Sequence, residues 1–141
     1  MKPVALSTGV HPGFMTDWQQ PFTILLTQSH GVSIMHETVY ENRFGYTEAL
    51  NKMGANIQLF NNCLGEECRF MNKGFPHSAV ISGPTPLKAR DIEMPDLRAG
   101  FSYLVAALLA KGESKLYNIE HIERGYSNIK EKLKLLGANI E

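Results

Sequence analysis

The chain carries an internal repeat, and this constrains its fold more than any other feature. Each copy opens with an aspartate at the head of an apolar run, passes through a glycine that ends the run, and closes on Gly-Ala-Asn-Ile. An arginine stands twelve residues beyond each glycine. The matching positions are Asp17 and Asp96, Gly31 and Gly112, and Arg43 and Arg124. So many shared landmarks indicate two copies of one supersecondary unit, and we look for function where the repeated polar residues converge.

Each copy is predicted to alternate strands with helices. The first copy has strand patterns at 4–7, 32–36 and 56–60, a helix from Thr16 and Asp17 to about residue 29, and a shorter helix at 46–53. The second copy follows the same order, with helices at 96–110 and 126–136 and strands at 114–119 and 138–140. The alternation predicts an α/β fold of repeated βαβαβ-type units, with helices packed against sheets.

A connector of residues 61–94 lies between the copies. It places the first repeat at about 1–60 and the second at about 95–141. Within it, 68–71 and 78–81 have the pattern of short strands, which predicts a hairpin around 72–74. No low-complexity tract divides the chain, so we expect one globular unit.

Composition excludes several classes of function. Lys plus Arg and Asp plus Glu number 14 each, so no net field favours nucleic acid or an anionic membrane. The longest apolar stretch, 100–110, is too short to span a bilayer. The start of the chain has no signal-like apolar core. We therefore expect a cytoplasmic protein with no nucleic-acid or membrane partner.

The two cysteines, Cys63 and Cys68, are expected to be bystanders in the connector. Two cysteines do not form a disulfide framework, and they agree with a reducing compartment. With His77 nearby, their Cys-x4-Cys spacing is a weak zinc pattern without a clear fourth ligand. His36 lies on an alternating strand and is expected to be a core or interface histidine. We expect no metal and no cofactor.

The repeated polar residues leave two interpretations open. Asp17 and Asp96 could simply cap helices, and Arg43 or Arg124 taken singly could be an ordinary solvated side chain. Their recurrence at matching positions favours a shared role, because helix N-termini and strand-to-helix turns at one end of a sheet form an anion-binding cleft. A phosphate or carboxylate ligand is the favoured prediction.

Several motifs resemble a known family. They are 13–19, 37–44, 53–55, 95–99, 121–126 and the closing 136–140. In this order they resemble the C-terminal portion of the enolpyruvyl transferases that act on UDP-N-acetylglucosamine. That family has two lobes, each built of three α/β units, with the active site between the lobes. The resemblance implies that two of the three units of one lobe are present and that an N-terminal lobe, on the same or a separate chain, is missing.

The resemblance also implies an activity. The family transfers the enolpyruvyl group from phosphoenolpyruvate to the 3-hydroxyl of UDP-N-acetylglucosamine, the first committed step of peptidoglycan and cell-wall synthesis. By this resemblance, Asp17 contacts that hydroxyl as general base, and Arg124 grips phosphoenolpyruvate. A carboxylate can take the hydroxyl proton while guanidinium groups hold the anionic substrate. The implied catalytic residues are Asp17, Asp96 and Arg124, and the implied substrate-binding residues are Asp17, Val39, Tyr40, Arg43, Arg98 and Arg124.

The missing lobe leads to two further expectations. The chain alone should be inactive because it supplies only part of the site, and its uncovered apolar faces should make it self-associate. The alternative is a noncatalytic nucleotide-sugar-binding or structural module derived from the same fold.

Overall fold

Helices and strands alternate along most of the chain, which confirms the predicted α/β class. The computed structural model describes all 141 residues except the side chain of Arg98. The first part contains β1 (Ala5–Ser7), α1 (Thr16–Thr27), β2 (Gly31–His36), α2 (Thr47–Lys52), β3 (Asn56–Phe60) and β4 (Ser78–Gly83). The second contains β5 (Ile92–Glu93), α3 (Leu97–Leu109), β6 (Leu116–Tyr117), α4 (Glu120–Glu123) and α5 (Ile129–Leu135). Of the described helices, none is both long and apolar enough to cross a bilayer.

The main sheet has four strands in the order β1-β2-β4-β3. β1 pairs parallel to β2, and α1 provides the crossover that a parallel pair requires. β4 is antiparallel to both of its neighbours, β2 and β3. A strand from the connector therefore lies between two strands of the first repeat.

The larger core lies between this sheet and the helices. α1 packs on β2 and β4 and also against α3. Apolar side chains from both layers are buried there, among them Ile24, Leu26, Met35, Leu50, Ile57, Ala79, Ile81 and Ala106. Inside this core, the Tyr46 hydroxyl donates to Thr23 Oγ1 at 2.8 Å. Burial is the main cause that raises the pKa of Tyr46, so the phenol remains a neutral donor.

The part of the chain from β5 onward, which joins the end of the connector to the second repeat, is smaller and less covered. β5 and β6 form a separate two-stranded parallel sheet, and Met94, Leu104 and Ile122 form a small second core. α5 has no buried residue, and Leu135 and Leu136 are 87% and 84% exposed. This part of the chain thus presents apolar side chains that no described residue covers.

The structure corrects three predicted elements. Residues 68–71 form a turn, with the Met71 amide bonded to the Cys68 carbonyl at 3.0 Å, so the predicted hairpin around 72–74 is absent. The predicted partner strand, β4, instead pairs with β2 and β3, which use both of its edges. Residues 138–140 are not a strand, and the strand predicted at 114–119 is reduced to β6. A segment with a strand pattern forms a stable strand only where it can pair with a neighbouring strand. In the small sheet, β5 is the one neighbour with which such a segment can pair.

Candidate active site

Glu37 is the centre of a highly connected group of polar residues. It follows β2 directly and is only 1% exposed, yet its carboxylate accepts five hydrogen bonds at 2.8–2.9 Å. The donors are the side chains of Thr8, Thr16 and Gln19 and the backbone amides of Val39 and Tyr40. A buried carboxylate is costly unless its charge is compensated, and five donors provide that compensation.

The location of Glu37 follows from the strand topology. Thr8 comes directly after β1 and Glu37 directly after β2, so both lie at the carboxyl ends of parallel strands. Thr16 and Gln19 belong to the first turns of α1, the helix that connects these strands. In α/β proteins, ligands bind in the crevice outside the carboxyl ends of parallel strands. The Glu37 network therefore fixes the chain segments that surround such a crevice.

Asp17 and Arg43 form an ion pair at this edge. Arg43 Nη2 lies 2.7 Å from Asp17 Oδ1, and its Nε donates to Thr16 Oγ1 at 3.1 Å. The Arg43 side chain is 13% exposed, whereas that of Asp17 is 58% exposed. The N-cap of α1 is Met15, which corrects the capping interpretation of Asp17. The structure places Asp17 instead in the first turn of the helix, with its carboxylate oriented by Arg43.

Val39 and Tyr40 lie on the same edge as Asp17 and Arg43. Their backbone amides are held by Glu37, and the Arg43 guanidinium lies 5.0 Å from the centre of the exposed Tyr40 ring. The Val39 carbonyl accepts a hydrogen bond from the Arg69 guanidinium, which comes from the connector. The connector therefore forms part of the wall beside these two residues.

The second repeat places Asp96 and Arg124 near the start of α3. Asp96 Oδ1 accepts a hydrogen bond from the Ala99 amide at 3.0 Å, which confirms helix capping for this residue. Arg124 is exposed at the end of α4. The adjacent Gly125 lies so close to Leu97 that an added Cβ would come within 2.6 Å of its side chain. The side chain of Arg98 lies outside the described residues.

Sequence reasoning missed the organising role of Glu37 and its donors Thr8 and Gln19. The only signal was a carboxylate placed directly after an alternating strand. A cavity of about 340 Å³ lies beside this network, lined by Ser7, Thr8, Thr38 and the connector residues 66–69. A second cavity of about 330 Å³ lies between α2 and the segment 90–93, and no predicted site residue is among those that line it.

One cluster of metal-ligating side chains occurs among the described residues. It contains His36, Cys63, Cys68 and His77, and their ligand atoms all lie within 4.8 Å of one another. Burial is the main cause that lowers the pKa of His36, and the charge of His77 lowers it further. The charge of Glu37 raises this pKa and opposes both effects. Burial beside the Glu37 network thus disfavours the charged form of His36.

Comparison with known proteins places this architecture in a family. The family model for EPSP synthase (3-phosphoshikimate 1-carboxyvinyltransferase) matches residues 1–133. A protein of Protochlamydia amoebophila named UDP-N-acetylglucosamine 1-carboxyvinyltransferase is 59% identical over 96% of this chain, which covers 29% of that protein. A protein of the same name from Chlamydia trachomatis serovar D is 56% identical over 97% of this chain, which covers 31% of that protein.

The fold agrees with a solved structure of the same kind. The enolpyruvyl transferase NikO from Streptomyces tendae matches 99% of this chain with a TM-score of 0.81 and 28% sequence identity, and the match covers 29% of the NikO chain. The chain thus spans about 30% of the length of the curated relatives it matches. Because the family model covers nearly all of the sequence, the chain belongs to the EPSP synthase (3-phosphoshikimate 1-carboxyvinyltransferase) family.

Proposed function

We propose that this chain forms part of the active site of an enzyme that transfers the enolpyruvyl group of phosphoenolpyruvate to the 3-hydroxyl of UDP-N-acetylglucosamine in the cytoplasm. The observation that carries the proposal is the Asp17–Arg43 pair at the edge organised by Glu37. The names of the relatives supply the reaction, and the geometry supplies a carboxylate suited to it.

Asp17 is the proton acceptor in this proposal. It is exposed enough to meet a ligand, while Arg43 and the first turn of α1 fix its orientation. A base that removes a hydroxyl proton must lie within hydrogen-bond reach of it, and a fixed carboxylate meets that need with little reorganisation. Val39 and Tyr40, held through their amides by Glu37, form the sugar-nucleotide wall.

The second repeat provides the groups for phosphoenolpyruvate. Arg124 is an exposed cation that can bind the phosphate or carboxylate of this substrate, and the resemblance assigns Arg98 to substrate binding in general. Asp96 caps α3 and thereby positions the helix that follows it. Two of three units of one lobe are present in this interpretation, and the remainder of the enzyme supplies the opposite wall.

The partial site predicts a clear kinetic pattern. The isolated chain should release no phosphate from phosphoenolpyruvate and UDP-N-acetylglucosamine. Joined to the rest of the Protochlamydia amoebophila relative, it should become active. In that fusion, Asp17→Asn should keep substrate binding and lower kcat by roughly a hundredfold or more, whereas Asp91→Asn, an exposed control, should not.

Arg124→Ala should act on substrate affinity. Loss of a charge-assisted contact should weaken phosphoenolpyruvate binding by roughly 2–5 kcal/mol and affect UDP-N-acetylglucosamine binding less. The control variant Lys132→Ala should bind both substrates as the unaltered fusion does. Phosphate release and substrate titrations measure both effects. An active fusion that is insensitive to Asp17→Asn and Arg124→Ala would overturn the assignment. A fusion that binds the sugar nucleotide but never turns over would favour the noncatalytic module.

A further inference from the structure

Four metal-ligating side chains from two parts of the chain meet beside β2. His36 is the last residue of β2. His77 directly precedes β4, the strand that pairs with β2 in the sheet. The other two, Cys63 and Cys68, come from residues 61–77, which we call the cysteine loop. Together the four form the cysteine–histidine cluster. Both histidines are buried and both cysteines are half-buried, so solvent reaches the cluster only in part.

The distances within the cluster fit a tetrahedral ion. Cys63 Sγ lies 3.4 Å from Cys68 Sγ and 3.4 Å from His77 Nε2, and all four ligand atoms lie within 4.8 Å of one another. In a tetrahedral zinc site, with Zn–S of about 2.3 Å and Zn–N of about 2.0–2.1 Å, neighbouring ligand atoms are about 3.3–3.8 Å apart. The two 3.4 Å separations already lie in this range, and the longest separation, at most 4.8 Å, must shorten for the cluster to enclose the ion.

The outer ring nitrogens orient both imidazoles for this role. His36 Nδ1 is 3.3 Å from Ser7 Oγ, and His77 Nδ1 is 3.3 Å from the Phe75 carbonyl oxygen. A carbonyl only accepts, so the Nδ1 atom of His77 donates and its Nε2 presents a lone pair to Cys63. Ligating histidines commonly donate their second ring nitrogen in this way.

His36 Nε2 is the clearest sign of an expected ligand. It is buried and has no hydrogen-bond partner among the described atoms. Buried polar atoms without partners are rare, and each calls for an explanation such as an ion. The Cys68 sulfur is also held in place, because the Phe70 amide donates a hydrogen bond to it at 3.4 Å.

The cysteine loop packs closely against the His36 side chain through Gly65. A Cβ at Gly65 would come within 2.6 Å of both His36 Nδ1 and Ser7 Oγ, so glycine permits the approach. Ser78 Oγ accepts a hydrogen bond from the Leu64 amide and donates one to the Asn62 carbonyl, which ties the loop to β4. The four ligands are thus held together by contacts outside the cluster itself.

We propose that the cysteine–histidine cluster binds one Zn²⁺ as a structural ion, through two thiolates and two imidazoles. Binding releases the two thiol protons and leaves a site of zero net charge. Two thiolates with two imidazoles select zinc over the hard cations magnesium and calcium. This departs from the expectation of no metal, which rested on the lack of a fourth ligand. His36 now supplies that ligand, and the inference does not depend on the proposed function.

The ion would fasten the cysteine loop beside the candidate active site. His36 directly precedes Glu37, and Arg69, next to Cys68, bonds to the Val39 carbonyl. A zinc ion bound to β2, to the loop and to the start of β4 would hold this wall in place. Its role is positional, because its four protein ligands leave no open coordination site for substrate.

The test is metal binding by the chain, expressed without a polyhistidine tag and purified under reducing conditions. We expect about one zinc per chain by native mass spectrometry and elemental analysis, with a Kd of about 1 µM or tighter in a chelator competition. Co²⁺ added to the metal-free chain should give the visible bands of a tetrahedral site and thiolate charge-transfer absorption. Native mass spectrometry reads the wild-type chain directly, so the test does not depend on the folding of any variant.

Variants then identify the ligands. Cys63→Ser and Cys68→Ser should reduce the charge-transfer absorption. His36→Gln and His77→Gln should weaken binding beyond the roughly 10–100-fold that loss of an outer-shell partner costs, and Ser7→Ala should fall within that range. His30→Gln, at an exposed histidine, is the matched control and should bind as wild type does.

Three results would overturn the proposal. One is a reduced wild-type chain that binds zinc more weakly than about 1 µM, outside the range of structural sites. Another is undiminished binding in both histidine variants. The third is a Cys63–Cys68 disulfide, seen as the loss of two mass units, in chain isolated from a reducing cytoplasm without reductant.

Discussion

Replacement of Glu37 gives the sharpest test of how the candidate site is held together. Glu37→Ala removes the acceptor of five hydrogen bonds, two of them from backbone amides that cannot change role. Each buried donor left without a partner costs about 1–3 kcal/mol, although water entering the space left by the side chain recovers part of this. We expect Glu37→Ala to lower the free energy of unfolding by about 3–5 kcal/mol, the range for breaking a buried charged network.

Glu37→Gln should be much milder, for a geometric reason. The glutamine oxygen can take the place of Oε1, which serves Thr8 and the two amides, while its NH₂ group faces Thr16 and Gln19. Gln19 Oε1 is buried without a hydrogen-bond partner, so a rotated Gln19 amide can accept from the new NH₂ group. We expect a loss of about 1–3 kcal/mol, from weaker neutral hydrogen bonds and one misplaced donor.

Urea unfolding, followed by circular dichroism, measures both changes. Glu67→Gln, at an exposed glutamate of the cysteine loop, is the matched control and should stay within about 0.5 kcal/mol of wild type. The reasoning fails if Glu37→Ala unfolds within about 1 kcal/mol of wild type, because the five donors would then have other partners. It also fails if the alanine and glutamine variants lose equal stability.

Two further predictions concern packing. The chain should self-associate through the exposed apolar side chains of its second repeat. In sedimentation velocity, the double change Leu135→Glu with Leu136→Lys should shift the chain toward monomer. A wild-type chain that is monomeric at moderate concentration would contradict this prediction. Gly83→Ala should cost about 1–3 kcal/mol or more in urea unfolding, because its Cβ would lie 2.6 Å from the carbonyl oxygens of Thr27 and Ser29. Gly74→Ala, where an added Cβ meets nothing within 4 Å, is its control, and equal stability of the two variants would refute the packing argument.

The elements that the sequence predicted correctly are those set by local pattern. α1, β2, α2 and β3 lie within two residues of their predicted bounds, because apolar spacing and end signals act over a few residues. Gly54 directly follows the C-cap of α2 and has a φ of +105°, a conformation that glycine adopts readily. The resemblance assigned Asp17, Arg43, Val39 and Tyr40 to substrate binding; the structure brings them to one edge of the sheet, and their roles stay predictions.

The features that the sequence did not predict depend on contacts between distant residues. The pattern of residues 78–81 predicted a strand but could not show that β4 lies between β2 and β3. Glu37 looked like any polar residue after a strand, since its burial depends on Thr8 and on α1. His36 could not be recognised as a companion of Cys63 and Cys68, because only the sheet brings β2 and the cysteine loop together.

Because β4 lies between β2 and β3, the four-stranded sheet needs residues that lie beyond the end of the first repeat. Within the four-stranded sheet, β2 and β3 do not pair with each other. Both pair with β4, which follows the cysteine loop in the sequence. During synthesis, the first repeat would leave the ribosome before β4 is available to pair with β2 and β3. Unpaired strand edges invite pairing with other chains, and delayed long-range pairing slows folding. Any shortened form meant to fold alone must therefore extend through Gly83, beyond the point where the repeat itself ends.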